Sequence, residues 1–144
     1  MFITREMDYA VRILRALRSG EQLTSAQIAA REHMAPAITY KMMKPLTRAG
    51  IIESRRGHVG GYALARPAGE LTLYDLFSAL GGQLFITECL EPGYDCANNV
   101  CGACGVHREF ARIQQRLEEE LKCKTLEELF SSCAAIIPPE AKST

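Results

Sequence analysis

Apolar residues recur three and four positions apart from the start of the chain. Met7, Ala10, Val11, Leu14 and Leu17 fall on one helical stripe behind Thr4, a good N-cap type, with Glu6 in the first turn. The spacing predicts a first helix over residues 4–17. Thr24-Ser25-Ala26-Gln27 has the form of a capping box and leads into Ile28, Ala29 and Ala30, a short second helix ending near Glu32. After a turn at His33-Met34-Ala35, Pro36 suits the first position of a third helix, which Gly50 would stop. Ile38, Met42, Leu46 and Ala49 mark its apolar face, and Ala37, Tyr40, Lys41, Lys44 and Arg48 the opposite one. Pro45 inside it removes a backbone donor and crowds the preceding turn, a cost of about 3 kcal/mol in a helix interior, so a kink is expected.

The periodicity then changes. Ile51-Ile52-Glu53-Ser54 and Tyr62-Ala63-Leu64 are β-prone runs around the basic, glycine-rich segment 55–61, which predicts a hairpin. Helix, turn, helix, basic hairpin is the order of a winged helix-turn-helix, in which the helix after the turn enters the major groove and the hairpin reaches the backbone or minor groove. A helical domain whose cations merely solvate its surface is the alternative. Basic residues on the outward face of the third helix and at the hairpin tip favour DNA. Beyond Pro67, a helix runs from Thr72 through Leu80, and residues 88–105, with Pro92, three glycines and Asn98-Asn99, read as a loop. Val106, Phe110, Ile113, Leu117 and Leu121 stripe a long helix, and Thr125-Leu126-Glu127-Glu128 caps a final short one. Such a stripe packs on its own domain or on a second copy; because DNA-binding modules of this order usually read two half-sites as dimers, Phe110, Ile113, Leu117 and Leu121 are expected to form a two-fold interface between copies.

The expected fold class is therefore mainly α with a small β-hairpin wing: a winged helix-turn-helix plus a long C-terminal dimerisation helix. Residues 1–66 form the DNA-binding region, 67–87 the connecting helix, 88–105 a cysteine loop, 106–132 the dimerisation and final helices, and 133–144 a tail.

Composition agrees with one domain: 144 residues, 47% hydrophobic, with no apolar run near the roughly 20 residues of a membrane helix. Glu6, Asp8 and the regularly spaced arginines leave the N-terminus without the apolar centre of a signal peptide, so a cytoplasmic protein with no membrane partner is expected. The formal net charge is zero, yet residues 1–66 carry eleven cations against five carboxylates, a balance of +6, and residues 67–144 carry six against twelve, −6. That division suits a polyanion-binding half joined to a sensing or assembly half. No nucleophile–base motif, phosphate loop or cofactor fingerprint suggests an enzyme.

Four of six cysteines, Cys89, Cys96, Cys101 and Cys104, fall inside sixteen residues, and His107 follows: C-x6-C-x4-C-x2-C-x2-H. In a chain without secretory features such a cluster points to metal or redox chemistry before structural disulfides. Thiolates are soft ligands, suited to iron-sulfur clusters or zinc. Spacing alone leaves both open, with a metal-free thiol switch, a Cys101–Cys104 disulfide, behind them.

Thr4 to Val11 (TREMDYAV), Leu46 to Gly50 (LTRAG), Arg55 to Tyr62 (RRGHVGGY), Thr72 to Ala79 and Cys104 to Leu129 (CGVHREFARIQQRLEEELKCKTLEEL) together resemble the winged-helix transcriptional regulators of the IscR/NsrR/RirA/RsrR family, over residues 1–132. The resemblance implies a homodimer that binds a double-stranded DNA operator and carries an iron-sulfur cluster, 2Fe-2S or 4Fe-4S, whose state alters DNA affinity. Cys89 and Cys104 match the first and last family cysteines and Cys96 best fits the middle one, while Cys101 is a fourth where the family loop holds three. Relatives place a further ligand at positions matching His107 or, from the partner subunit, Asp8 and His33, and the resemblance ranks Asp8 of the partner subunit before His107 or His33. On this reading Tyr40, Lys41 and Lys44 of the third helix and Arg55, Arg56 and His58 of the wing contact DNA, and Lys41 stands where a relative has a base-reading glutamine.

Overall fold

Thr24 and Gln27 bond reciprocally: the Gln27 N–H donates to Thr24 Oγ1 at 3.2 Å, and the Thr24 N–H donates to Gln27 Oε1 at 2.8 Å. Thr72 with Asp75 and Thr125 with Glu128 do the same. Each pair satisfies two orphan donors and fixes where a helix begins. In the computed structural model, which describes residues 4–57, 60–98 and 103–132, the elements are α1 (Arg5–Leu17), α2 (Ser25–Arg31), α3 (Pro36–Arg48), β1 (Ile52–Arg55), β2 (Gly61–Leu64), α4 (Leu73–Ala79), α5 (Gly105–Cys123) and α6 (Leu126–Ser132), with 3-10 turns at Ala68–Glu70 and Glu88–Leu90. His58, Cys101, Cys133 and the rest of the tail lie outside the described residues. The mainly helical winged fold expected from the sequence is the one found.

Local chemistry explains the ends. Thr4 stands at the N-cap of α1, but its side chain makes no capping bond. Gly50, at φ +69°, terminates α3 as the Ile51 N–H reaches the Leu46 carbonyl and the Gly50 N–H the Thr47 carbonyl. α3 runs on through Pro45 to Arg48. So close to the helix end, the missing donor deprives only the Lys41 carbonyl of a partner. Residues 88–90 form a 3-10 turn within the segment read as loop.

β1 and β2 pair antiparallel with Ile52 opposite Leu64 and Ser54 opposite Tyr62. Leu23 extends the pairing: its N–H donates to the Tyr62 carbonyl at 3.0 Å and its carbonyl accepts from the Tyr62 N–H at 2.7 Å. That approach requires glycine at 61, where a Cβ would lie 2.7 Å from the Leu23 oxygen. The wing is thereby pinned to the α1–α2 connection.

One core joins both charge halves. Ile13, Leu14 and Leu17 of α1 meet Ile28, Met42, Leu46 and Ile52, together with Leu71 and Leu76 and, from α6, Leu126 and Phe130. The Leu126 N–H donates to the Leu71 carbonyl at 2.7 Å, and Arg18 Nη1 to the Phe130 carbonyl at 2.9 Å. Arg15 grips the buried Glu32 carboxylate, so the only buried charge in the core region among the described residues is paired. A second cluster packs Met7 of α1 and Phe77 of α4 with Leu84 and with Leu121 of α5.

The α5 stripe divides. Leu121 is 8% exposed and Leu117 packs beside it, inside this chain. Val106, Phe110 and Ile113 are exposed at 62%, 37% and 41%. The expectation that Leu121 belongs to a seam between copies is corrected: the last turns face α1 and α4. No helix among the described residues is long and apolar enough to cross a membrane.

Candidate functional site

α3 and the wing present one basic face. Tyr40 is 69% exposed on α3, beside Lys41, Lys44 and Arg48. Helical spacing sets Tyr40, Lys44 and Arg48 four residues apart on one line. The cations on this face differ in their partners. Lys41 Nζ donates to the Glu6 carboxylate of α1 at 3.2 Å, and Arg55 Nε to Glu53 at 2.7 Å, whereas Lys44, Arg48 and the exposed Arg56 make no ion pair among the described residues. Between α3 and the hairpin lies a groove of about 460 Å³, floored by Met43 and edged by Tyr40, Lys44, Thr47, Arg48, Ser54 and Tyr62. Of these, sequence reasoning selected only Tyr40 and Lys44 as contacts. Arg48 carried a signal, its i+4 spacing from Lys44. Ser54 and Tyr62 depend on strand register.

The cysteine loop lies at the other end of α5. Cys104 is the N-cap residue of α5, and Cys89 lies in the 3-10 turn at 88–90, where the Thr87 hydroxyl is 3.7 Å from its sulfur. The Ile86 N–H donates to Gln114 Oε1 at 3.3 Å and ties the start of the loop to α5. Cys89, Cys96 and Cys104 are all half-buried. Among the described residues, no three cysteine, histidine or acidic side chains converge within the single chain as a metal set. His107, one turn into α5, has a buried Nδ1 with no hydrogen-bond partner among the described residues. Buried polar atoms are nearly always satisfied, so this one marks a place where a bonding partner fits.

Asp8 and His33 lie elsewhere. The Asp8 carboxylate, exposed on α1, accepts from Arg12 Nε at 3.0 Å. His33 is an exposed residue at φ +51°, immediately beyond the α2 C-cap, with the Met34 N–H bonded to the Ala29 carbonyl at 2.9 Å. That is the position glycine usually takes.

Residues 3–132 match the Rrf2 family, described as "Iron-dependent Transcriptional regulator". Protein aau3 of Rhizobium meliloti (strain 1021) is 33% identical over 132 residues, covering 90% of this chain and 84% of that protein. The HTH-type transcriptional regulator CymR of Bacillus subtilis (strain 168) is 29% identical over 117 residues, 81% of this chain and 78% of that one. In structure, the chain is similar to CymR, the global cysteine regulator of B. subtilis, with a TM-score of 0.71 at 24% identity over 91% of this chain and 97% of that one. IscR of T. potens gives 0.69 at 20% identity, covering 100% and 93%. At those identities the structural likeness is one of fold.

Proposed function

Since the chain belongs to the Rrf2 family of transcriptional regulators, we propose that it is a homodimeric, DNA-binding regulator that holds an iron-sulfur cluster and changes its DNA affinity with the state of that cluster. The observation that carries the cluster is the buried His107 Nδ1, three residues beyond Cys104 and without a partner among the described residues. An imidazole nitrogen three residues from the half-buried Cys104 thiol, with Cys89 and Cys96 also half-buried, is a donor set that soft, thiophilic iron accepts. Cys89, Cys96 and Cys104 are the cysteine ligands on this reading. The structure favours His107 over the Asp8-first ranking, because the His107 Nδ1 is buried without a partner among the described residues, whereas the exposed Asp8 carboxylate accepts from Arg12. Asp8 and His33 of a partner subunit remain the competing donors, and Cys101 the competing thiolate. Once bound, such a cluster supplies a centre that iron supply, oxidants or nitric oxide can alter.

This chain's own residues do the rest. Thr87 orients the Cys89 sulfur, and Gln114 holds the start of the loop against α5. The exposed Val106, Phe110 and Ile113 need an apolar cover, and a second copy of the same helix supplies one by two-fold symmetry. Operator DNA takes the α3–wing face, where the cations of the +6 half are concentrated.

The likeness to CymR supports a second reading, regulation through thiols without a cluster. Protein purified without oxygen separates the two. A brown chromophore with stoichiometric iron and sulfide, lost in His107→Ala or Cys104→Ala, is expected. Colourless protein that binds DNA according to its thiol state would replace the cluster reading with the thiol one.

A further inference from the structure

A second cleft, of about 310 Å³, opens where the residues following α3 and β2 meet α4. Tyr74, Asp75, Ser78 and Ala79 line it from one face of α4, and the buried Ile51 and the exposed Arg66 line it from the other side. Two opposite charges share this space without pairing with each other among the described residues. Arg66 Nη2 donates to the Glu70 carbonyl at 3.0 Å, which steadies the guanidinium and leaves its Nε and Nη1 without a partner among the described residues. The Asp75 carboxylate accepts from the Thr72 N–H and hydroxyl, at 2.8 Å each, on Oδ2 alone, so the helix cap fixes the group while Oδ1 has no partner among the described residues. The Tyr74 and Ser78 hydroxyls likewise make no hydrogen bond among the described residues, and the Tyr74 ring is covered by Lys122 of α5, whose Nζ lies 4.0 Å from the ring centroid. The volume falls at the lower end of small-molecule sites, roughly 300–1,000 Å³.

We propose that this cleft binds a small zwitterion, a free α-amino acid. An anion alone would meet the Asp75 carboxylate and a cation alone the Arg66 guanidinium, so the lining favours a molecule that carries both charges. An α-amino acid does so in few atoms. Its carboxylate takes the free donors of Arg66, its ammonium donates to Asp75 Oδ1 and the Ser78 hydroxyl, and a short side chain covers Ile51 and Ala79. Both charged groups are already held by bonds that the ligand leaves intact, so little ordering is required of them. The occupant sits where the DNA-binding half joins α4, and α4 in turn meets α5 through Tyr74 and Lys122.

Isothermal titration calorimetry on the full-length protein tests the site with glycine, alanine and serine, and with propionate and ethylamine, each of which keeps only one of the two charges. Saturable binding of at least one amino acid is expected, with propionate and ethylamine weaker by about tenfold or more. Arg66→Gln and Asp75→Asn each remove one charge, the asparagine retaining an acceptor for the Thr72 cap, and each should weaken the amino acid by about tenfold or more. Unaltered thermal midpoints show that the variants fold, and Arg66→Gln, which touches no helix cap, carries the test by itself if Asp75→Asn does not. No binding of any of the three amino acids across the millimolar range would overturn the assignment. So would propionate or ethylamine binding as tightly as the amino acid, or full binding in folded Arg66→Gln protein. No DNA enters the measurement, so its failure leaves the regulator reading intact.

Discussion

Lys41 on α3 is held by Glu6 on α1, 3.2 Å from ammonium to carboxylate and 35 residues away in sequence. A residue proposed to contact DNA is thus tied to the helix that carries Asp8. Both side chains are largely exposed, and such pairs contribute about 0.2–1 kcal/mol.

Glu6→Gln should therefore release Lys41 at little cost to the fold and remove a negative charge from the DNA face. Affinity for a random-sequence duplex should rise, by up to about fivefold from the pair alone. Anisotropy titration at low salt checks it. Equal or weaker binding would show that Glu6 positions Lys41 productively.

The divided stripe of α5 predicts opposite consequences for two similar changes. Ile113→Glu sets a charge in the exposed apolar patch and should yield folded monomers by light scattering, with an unchanged thermal midpoint in dilute solution. Leu121→Ala should leave assembly intact and cost about 2–5 kcal/mol in urea denaturation, because its cavity opens inside this chain. Dimers persisting in Ile113→Glu would place the interface elsewhere.

His33 occupies a left-handed backbone position that costs a non-glycine residue about 1–2 kcal/mol. His33→Gly should raise the unfolding midpoint if the imidazole has no structural task. A lowered midpoint would mean that the imidazole makes stabilising contacts. Iron and sulfide contents of the same variant report on ligation.

Glu128 titrates below the ordinary carboxylate range, first because the Thr125 N–H donates to it and then because the Thr125 hydroxyl does. Its folded pKa is lower than its unfolded one, so its stabilising effect is complete above the unfolded value and fades as pH falls through the folded one. Glu128→Gln should flatten the acid limb of a stability–pH profile measured by urea midpoints. A profile parallel to that of the parent would mean the cap does not contribute.

Elements set by neighbouring residues could be read directly. The Thr24–Gln27, Thr72–Asp75 and Thr125–Glu128 boxes and the Gly50 stop each act within a few positions. A helical period shows which face is apolar, not what covers each turn, so Ile113 and Leu121 looked alike although one is exposed and the other lies against Met7 and Phe77. The Glu6–Lys41 pair, the Arg15–Glu32 pair and the Ser54–Tyr62 edge of the groove need the fold before they exist. The unmet Nδ1 of His107 is likewise a property of packing, although its position after Cys104 was visible in the spacing.

α5 is anchored at one end, and that makes it a lever. Cys104 precedes Leu121 by seventeen residues, about 25 Å along a helix, so a tilt of about 5° at the anchored end sweeps the cysteine end through about 2 Å. The loop travels with the arm, since Ile86 is tethered to Gln114. At the anchored end Leu121 shares its cluster with Met7, the residue between Glu6 and Asp8. The end of α5 away from the cysteines thus packs in one cluster with the helix that restrains Lys41.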